Sequence, residues 1–295
     1  MTFEQLRIFL AVADHLHFTR AAEALHLSQP AVSAAVAALE DARQVKLFHR
    51  LGRRVALTEA GALLVTEARV ILRRVRQAEQ MLDELSGLQR GSLTVAASET
   101  VGSWWLPARL TRFASAYPGL SLALEVGNTA AVVAAVLAGT ADLGIVEGRV
   151  DDARLAQTIL VRDQLVLVVG PGHRWWTRDH VLPQEVTDTP WLMRESGSGT
   201  REAFFDALRQ AGIEDKAVTV RLTLPSGAAI RAALAEGTCA AIVSRHVVAD
   251  ALKAGRLHAP RFDLPHRHFV MIRHLDRTPG AAERAFTQYL AKGEE

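Results

Sequence analysis

Residues 196–202 read SGSGTRE, a stretch rich in glycine and hydroxyl groups that stands directly before an amphipathic helical pattern. Free backbone N–H groups at such a helix start bind anions, and the hydroxyl groups add further donors. Similar stretches, AASETVGS, EVGNTAAV and LPSGAA, occur at other transitions from a strand pattern to a helix pattern. Because such turns meet at one end of an α/β sheet, they predict a shared site for a small ligand.

This predicted ligand site has two sides, with SGSGTRE on one and residues 98–100 on the other. The simpler alternative is that each Ser or Thr only caps its own helix. Several hydroxyls and one arginine, without a clear ring of aromatic residues, favour a small polar anion. The predicted residues are Ser98, Glu99, Thr100, Asn128, Thr129, Ser196, Ser198, Gly199, Thr200, Arg201 and Ser226.

SGSGTRE lacks the spacing of the common catalytic loops. A P-loop requires a longer gap between its glycines and a lysine after the second one. A dinucleotide-binding loop requires a third glycine where Glu202 stands, and a nucleophile turn requires G-x-S-x-G, whereas Ser198 lies directly between two glycines. The chain contains no HExxH, and its histidines show no ligand spacing beyond His266-x-His268. We therefore expect neither an enzyme nor a bound metal or cofactor.

Three helical patterns follow one another between Phe3 and Leu39, and the last two are separated by only two or three residues, as in a helix-turn-helix. Thr19 and Ser28 are expected to cap the second and third helices, with Pro30 in the first turn of the third. The start of the third helix then exposes side chains that can contact base edges in a DNA major groove. These residues are Gln29, Ala31, Ser33 and Ala34, and the neighbouring Thr19, Ser28 and Pro30 are predicted to contact DNA as well.

A basic run follows, with five basic residues and no acidic one between Arg43 and Arg54. Its two apolar stretches around Gly52 predict a two-stranded wing whose basic side chains contact phosphates or the minor groove. The predicted contacts from this run are Lys46, Arg50, Arg53 and Arg54. The alternative is a small helical bundle with no role in DNA binding.

A long helix is predicted from Thr58 to about Leu88. Apolar residues recur there in a heptad pattern at Leu64, Ala68, Ile71, Val75, Ala78, Leu82 and Leu85. A strict 3.5-residue repeat favours pairing with a second long helix, so we predict dimerisation through this segment. The alternative is a helix that packs along its own domain.

From Leu93 onward strand-like and helical stretches alternate, which predicts α/β units with largely parallel sheets. Strands are expected at 165–169, 191–194, 217–222 and 240–244, among others. Trp104 and Trp105 either line the ligand site or pack between substructures. The single cysteine excludes an internal disulfide, and no apolar run is long enough to span a membrane, so a cytoplasmic location is expected.

The segment QLRIFLAVADHLHFTRAAEALHLSQPAVSAAVAALE, followed by KLFHRLGRRVALTEAG, resembles the DNA-binding domain of the LysR-type transcriptional regulators. The stretches YPGLSLALEVGNT, LAGTADLGIVEG and AALAEGTCAAIVSR are similar to the effector-binding domain of the same family. The chain departs from the family at Arg43-Gln44, where Leu-Gly is usual, which predicts a strained or altered turn at Gln44. It departs again at Thr238-Cys239.

The resemblance implies a winged helix-turn-helix (1–58), a linker helix (59–90) and a two-lobed Rossmann-like effector domain (91–295) of the periplasmic-binding-protein type. Lobe 1 would contain 92–162 and 267–295, and lobe 2 would contain 163–266. It also implies dimers of dimers on an interrupted palindrome in double-stranded DNA and contact with RNA polymerase.

We therefore expect a transcriptional regulator that responds to a small anion. The opening motif is similar to that of family branches that control carbon fixation and sulfur assimilation, which suggests a phosphorylated metabolite or an oxyanion. The alternative is an architectural DNA-binding protein that needs no effector and uses its larger domain only for oligomerisation.

Overall fold

The computed structural model describes residues 1–51, 54–84 and 91–292. The chain forms two compact units, which we call unit 1 (residues 1–85) and unit 2 (residues 86–295), except that residues 138–140 group with unit 1. In the described part of the chain, no helix is both long and apolar enough to cross a membrane.

Unit 1 begins with α1 (Phe3–His15), α2 (Phe18–Leu25) and α3 (Gln29–Asp41), whose apolar faces form one core. Ser28 caps α3 as predicted, because its Oγ accepts a hydrogen bond from the backbone N–H of Ala31 at 3.3 Å. The prediction for Thr19 is wrong. The helix α2 begins before Thr19, and His17 caps it by accepting from the backbone N–H of Arg20.

The wing consists of β1 (Phe48–Leu51) and β2 (Arg54–Leu57), which pair in antiparallel fashion. The helix α4 (Glu59–Glu84) follows, and its 26 residues span about 39 Å at 1.5 Å per residue. Thr58 precedes α4 and accepts a hydrogen bond from the backbone N–H of Gly61 at 2.9 Å. The hydroxyl of Thr58 donates to the carbonyl of Lys46 at 2.7 Å, which ties the start of α4 to the start of the wing.

Unit 2 contains a five-stranded sheet in the order β4-β3-β5-β11-β6. Its strands are β3 (Gly91–Ser98), β4 (Leu120–Gly127), β5 (Leu143–Glu147), β6 (Leu155–Asp163) and β11 (Arg267–His274). Strand β3 runs parallel to β4 and β5, whereas β11 is antiparallel to β5 and β6. The helices of this part, which we call lobe 1, are α5 (Leu106–Ala116), α6 (Thr129–Ala138) and α10 (Ala281–Ala291).

The second sheet of unit 2 has the order β7-β10-β8-β9 and defines lobe 2. Its strands are β7 (Leu165–Val169), β8 (Trp191–Arg194), β9 (Val220–Leu224) and β10 (Ala240–Ser244). Strand β8 is parallel to β9 and β10, whereas β7 is antiparallel to β10. The helices of lobe 2 are α7 (Gly199–Gln210), α8 (Gly227–Leu234) and α9 (Arg245–Lys253).

The predicted α/β architecture behind a helix-turn-helix is confirmed, with two corrections. Both sheets are mixed rather than largely parallel. The strand predicted at 217–222 begins at Val220, because Asp215–Ala217 forms a turn of 3-10 helix. Strand β6 is not among the strands that the alternation predicts, but it includes residues 160–163, where the resemblance implies a strand that crosses between the lobes. It ends one residue before β7 begins, so the chain passes between the two sheets at Gln164.

Candidate nucleic-acid interface and ligand site

The first turns of α3 lie at the surface of unit 1. Of the predicted DNA-contacting residues near the start of α3 and in α2, Ser33 is half-buried. The others are exposed, namely Thr19, Ser28, Gln29, Pro30, Ala31 and Ala34. Val32 and Val36 on the opposite face of α3 belong to the core. The small exposed side chains leave the start of α3 accessible, as a helix that enters a DNA major groove requires.

Glu40 fixes the start of the wing, a role that the sequence analysis missed. Its carboxylate accepts hydrogen bonds from the backbone N–H of Leu47 at 2.8 Å and of Phe48 at 3.3 Å. Lys46 Nζ lies 2.7 Å from the same carboxylate. Burial raises the pKa of Glu40, but the bond from Lys46 and the two backbone N–H groups outweigh it, so that the pKa lies below its ordinary value.

The side chain of Lys46 remains 70% exposed despite this ion pair, so it can still reach a phosphate. The other predicted wing contacts, Arg50, Arg53 and Arg54, lie outside the residues whose side chains the structure describes.

The turn into the wing has the altered backbone that the sequence predicts. Gln44 has φ of +52°, in the left-handed region that favours glycine. Its side-chain Nε2 donates to the carbonyl of Asp41 at 3.0 Å, which partly offsets the unfavourable backbone conformation.

The heptad residues of α4 divide into two groups. Leu64, Ala68 and Ile71 pack against the core of unit 1, and Ala68 has no exposed surface. The dimerisation prediction is therefore wrong for Ala68, because its side chain is fully buried in the core of unit 1. Val75 is half-buried and Ala78 is exposed. Leu82 and Leu85 fall outside the side chains that the structure describes.

In unit 2 four of the predicted hydroxyl residues that follow β3 and β8 are buried, whereas Ser196 is exposed. The exposed fractions are 1% for Ser98, 2% for Thr100, 3% for Ser198 and 4% for Thr200. Ser98 ends β3, whereas Thr200 is the second residue of α7, so the two come from different lobes. These four side chains therefore expose almost no surface to a ligand.

Arg267 connects these residues at the start of β11. Its Nη1 donates to Thr200 Oγ1 at 3.0 Å, and its Nε donates to Asp163 Oδ2 at 2.6 Å. Asp163 also accepts from Ser244 Oγ at 2.6 Å. Thr200 and Ser244 belong to lobe 2, whereas Asp163 and Arg267 belong to strands of lobe 1. The network therefore joins the two lobes.

Glu147 ends β5 beside this network and is 5% exposed. Burial alone would raise the pKa of Glu147, but the Arg267 guanidinium and the hydroxyls of Ser98 and Thr100 outweigh it and hold the pKa below its ordinary value. The buried hydroxyls thus stabilise a carboxylate of the protein itself.

Glu99 makes a second contact between the lobes. One of its carboxylate oxygens, Oε2, accepts from the backbone N–H of Gly227 at 3.0 Å and from Arg194 Nη1 at 3.3 Å. Burial lowers the pKa of Arg194, but its bonds and charge interactions with Glu195, Glu99 and Glu147 raise it above the ordinary value. Glu99 therefore occupies the start of α8, where a ligand was predicted.

Two further predicted residues contact the protein itself. Ser226 caps α8 by accepting from the backbone N–H of Ala229 at 3.1 Å. Arg201 donates to the carbonyl of Arg194 at 3.0 Å and lies over the ring of Phe205. For Ser226, helix capping is the role that the structure shows.

SGSGTRE contacts lobe 1 through its backbone. Asn128 Nδ2 donates to the carbonyl of Ser196 at 3.2 Å, and the backbone N–H of Ala130 donates to the carbonyl of Gly197 at 3.3 Å. Gly197 has φ of +82°, so a side chain at this position would strain the turn.

The two tryptophans pack inside unit 2. Trp105 is 7% exposed in the core of lobe 1, where it contacts Phe269. Trp104 packs against the apolar core of lobe 2, with Arg231 over its ring at 4.9 Å. Of the two alternatives, packing between substructures is the one that the structure shows for Trp104.

An open cavity of about 730 Å³ lies beside the buried network. Only Thr129 and Gly199, among the predicted ligand-binding residues, line it. Its charged and imidazole-bearing lining residues are Glu147, Arg149, Glu202, Asp206, His266, Arg267 and His268. The described residues contain no group of three or more His, Cys, Asp or Glu that could hold a metal ion.

The sequence analysis missed Glu147, Arg194 and Arg267. The signal that could have identified them is a charged residue that adjoins a run of apolar residues in a predicted strand. Glu147 follows LGIV, Arg194 follows WLM, and Arg267 precedes HFVMI. Charged side chains in such positions are rarely buried unless they are paired within the protein.

Comparison with known proteins gives matches over nearly the whole chain. Residues 3–62 match the bacterial regulatory helix-turn-helix protein model of the LysR family, and residues 86–294 match the LysR substrate-binding domain. The HTH-type regulator YeiE of Escherichia coli K12, described as uncharacterized, is 33% identical over 291 residues, covering 98% of this chain and 97% of YeiE. The RuBisCO operon transcriptional regulator of Allochromatium vinosum is 33% identical, covering 87% of this chain and 84% of that protein.

Solved structures agree with these matches. Full-length CbnR in complex with its target DNA has a TM-score of 0.70 at 23% identity, covering 99% of each chain. The regulatory domain of CcmR from Synechocystis PCC6803 in complex with 2-PG has a TM-score of 0.63 at 25% identity, covering 69% of this chain and 97% of that one. The resemblance to the carbon-fixation branch is confirmed by the names of the relatives.

Proposed function

The chain belongs to the LysR family of bacterial transcriptional regulators, and on this premise we propose that unit 2 binds a small anion that alters how unit 1 holds promoter DNA. The cavity of unit 2 carries the proposal. Thr129 and Gly199, the first residues of α6 and α7, both line the cavity, as does Arg149. Helix starts and a guanidinium group both attract anions.

The names of the relatives support a phosphorylated ligand. RuBisCO operon regulators are 32–34% identical to this chain, and the similar CcmR domain binds 2-PG. The predicted hydroxyl residues then act indirectly, because Thr200 holds Arg267 at the edge of the cavity. Ligand entry changes the balance between arrangements of the two lobes.

For DNA binding we propose that Gln29, Ser33 and their neighbours contact bases, while Lys46 and the wing arginines contact phosphates. The later part of α4, from Val75 onward, would pair two subunits, and two such dimers would form a tetramer on an interrupted palindrome. Contact with RNA polymerase and a location in the cytoplasm follow from this role.

One other function is an alternative to be tested. A regulator without an effector would use unit 2 only for oligomerisation. Enzymatic activity is not proposed, because SGSGTRE lacks the spacing of the common catalytic loops, and Glu147, Asp163 and Thr200 are committed to buried contacts within the protein.

Thermal unfolding of the full chain with 2-PG, inorganic phosphate or sulfate tests the ligand. A ligand at about 100 times its Kd adds about 2.7 kcal/mol to the unfolding free energy, which raises Tm measurably. We expect at least one of these anions to raise Tm and to change the affinity for the DNA upstream of the gene that encodes this chain.

Arg149→Ala is expected to remove most of this shift, whereas Arg256→Ala, an exposed arginine outside the cavity, should retain it. If no anion changes Tm or DNA affinity, the proposal that unit 2 responds to a purely anionic ligand fails. If both variants respond like the wild type, the anion binds elsewhere.

A further inference from the structure

The helix α7 lines the cavity with an acidic face. Glu202, Asp206 and Gln210 follow one another at intervals of four residues, which places them on one side of the helix, and all three line the cavity. Glu202 and Asp206 are exposed. Two carboxylates along one wall repel a ligand that carries only negative charge, so the cavity contains more than an anion site.

The other walls have the opposite chemistry. Arg149 follows β5, and His266, Arg267 and His268 lie at or beside the start of β11, and these side chains can all donate hydrogen bonds to an anionic group. Arg267 is committed to Asp163 and Thr200, and both ring nitrogens of His266 lie within 2.9 Å of Arg162 Nη2. Arg149 and His268 are therefore the groups that a ligand can engage.

Apolar side chains also line the cavity. Val133, Val150, Ile159 and Val270 line the cavity, and Ile159 is 64% exposed although it lies within β6. A ligand with an aliphatic body would cover this exposed surface, which is favourable by about 25 cal/mol for each Å² of apolar area.

We propose that the cavity takes a zwitterion: a small molecule with an ammonium group for Glu202 and Asp206, an anionic group for Arg149, and a short aliphatic body between them. This inference rests on the proposed function, because it takes the same cavity as the effector site and adds a positive group to the ligand. A volume of about 730 Å³ holds a molecule of this size together with water.

Asp206 already has a partner, since its carboxylate lies 2.6 Å from Arg209. Arg209 also lies 2.8 Å from Asp215. Both ion pairs are exposed, and exposed pairs contribute little to stability. A ligand ammonium can therefore engage Asp206 while Arg209 keeps its contact with Asp215.

Calorimetric titration of the full chain provides the test. The probes are the protein amino acids, 4-aminobutanoate and 6-aminohexanoate. Each is compared with two single-charge relatives: the amine that lacks its carboxylate and the carboxylic acid that lacks its ammonium group. For L-leucine these are 3-methylbutylamine and 4-methylpentanoate. We expect at least one zwitterion to bind about tenfold or more tightly than both of its single-charge relatives, as expected for the loss of a charge-assisted hydrogen bond.

The variant Glu202→Gln with Asp206→Asn should weaken binding of that zwitterion about tenfold or more and leave the affinity for 2-PG unchanged or higher. Glu236→Gln, an exposed acid outside the cavity, is the control. Binding of 2-PG, phosphate or sulfate without binding of any zwitterion would overturn the inference and leave the proposed function intact.

Equal binding of the zwitterion and its amine, or wild-type zwitterion affinity in the double variant, would also overturn it. If none of the anions or zwitterions binds, both the inference and the proposed effector function fail.

Discussion

The two predicted binding surfaces differ in what the chain does with its polar side chains. In unit 1 the residues at the start of α3 stay exposed, with Gln29 and Ala31 open to solvent. In unit 2, Ser98, Thr100 and Thr200 are at most 4% exposed and serve contacts within the protein. DNA is too large to enter a protein, so its contacts must be presented at the surface. A small ligand enters a cavity, and the residues around that cavity also hold the lobes together.

Breaking the buried network of unit 2 should have the largest effect. Arg267→Met leaves Asp163 and Glu147 as buried carboxylates without their compensating guanidinium, and we expect the free energy of unfolding to fall by about 3–5 kcal/mol. Urea unfolding followed by tryptophan fluorescence measures the change. Arg256→Met at an exposed position is the control, and a loss below about 1 kcal/mol would show that the network is not structural.

Changing the start of α3 should affect DNA binding more than stability. Ser33→Glu brings a negative charge to the start of α3, and we expect the affinity for specific DNA to fall at least about 100-fold. Ala42→Glu is the matched control, because Ala42 lies at the other end of α3, about 13 Å from Ser33 along the helix axis. Fluorescence anisotropy measures the affinity, and undiminished binding by Ser33→Glu would show that α3 does not contact DNA.

The pH dependence of the free energy of unfolding tests whether Glu147 in unit 2 has the structural role that the start of α3 in unit 1 lacks. The pKa of Glu147 in the folded protein lies below the ordinary value of 4.5, so the unfolded state takes up a proton first as the pH falls. The contribution of Glu147 is therefore present above about pH 4.5 and is lost below it. Glu147→Gln should lose less stability than the wild type between about pH 5 and pH 3, and equal slopes in urea unfolding would contradict this role.

The smallest expected effect lies in the turn before the wing. Gln44→Gly should stabilise unit 1 by about 1 kcal/mol, because glycine adopts a positive φ without steric conflict. Val45→Gly is the neighbouring control, since Val45 has no positive φ, and this change should not stabilise. Thermal unfolding of both variants measures the difference. A Gln44→Gly variant that is less stable than the wild type would show that the bond from Gln44 Nε2 to Asp41 dominates.

Local patterns predicted the fold well where neighbours in sequence decide the structure. Ser28 and Pro30 mark the start of α3, and strands 165–169, 191–194 and 240–244 have the predicted bounds. The residue pattern alone did not reveal β6, because its exposed residues, including Ile159, do not give a clear alternation at the edge of the sheet. The direction of β11 depends on strands far away in the sequence, which no local pattern reveals.

The ligand site was predicted only in part for the same reason. The turns at residues 98–100 and 196–202 were identified from their hydroxyl groups, but the partners of those groups are more than sixty residues away. Glu99 bonds Gly227, and Thr200 bonds Arg267. The sequence alone does not distinguish a hydroxyl that bonds a carboxylate within the protein from a hydroxyl that bonds a ligand.

Selection of binding sites from a random pool of duplex DNA tests the central claim, that unit 1 recognises DNA through the start of α3. The wild-type full chain should enrich two related half-sites separated by about one helical turn of DNA, or 10 base pairs. The Ser33→Glu variant should enrich no sequence. Failure of the wild type to enrich any sequence, or enrichment of the same half-sites by Ser33→Glu, would contradict the claim.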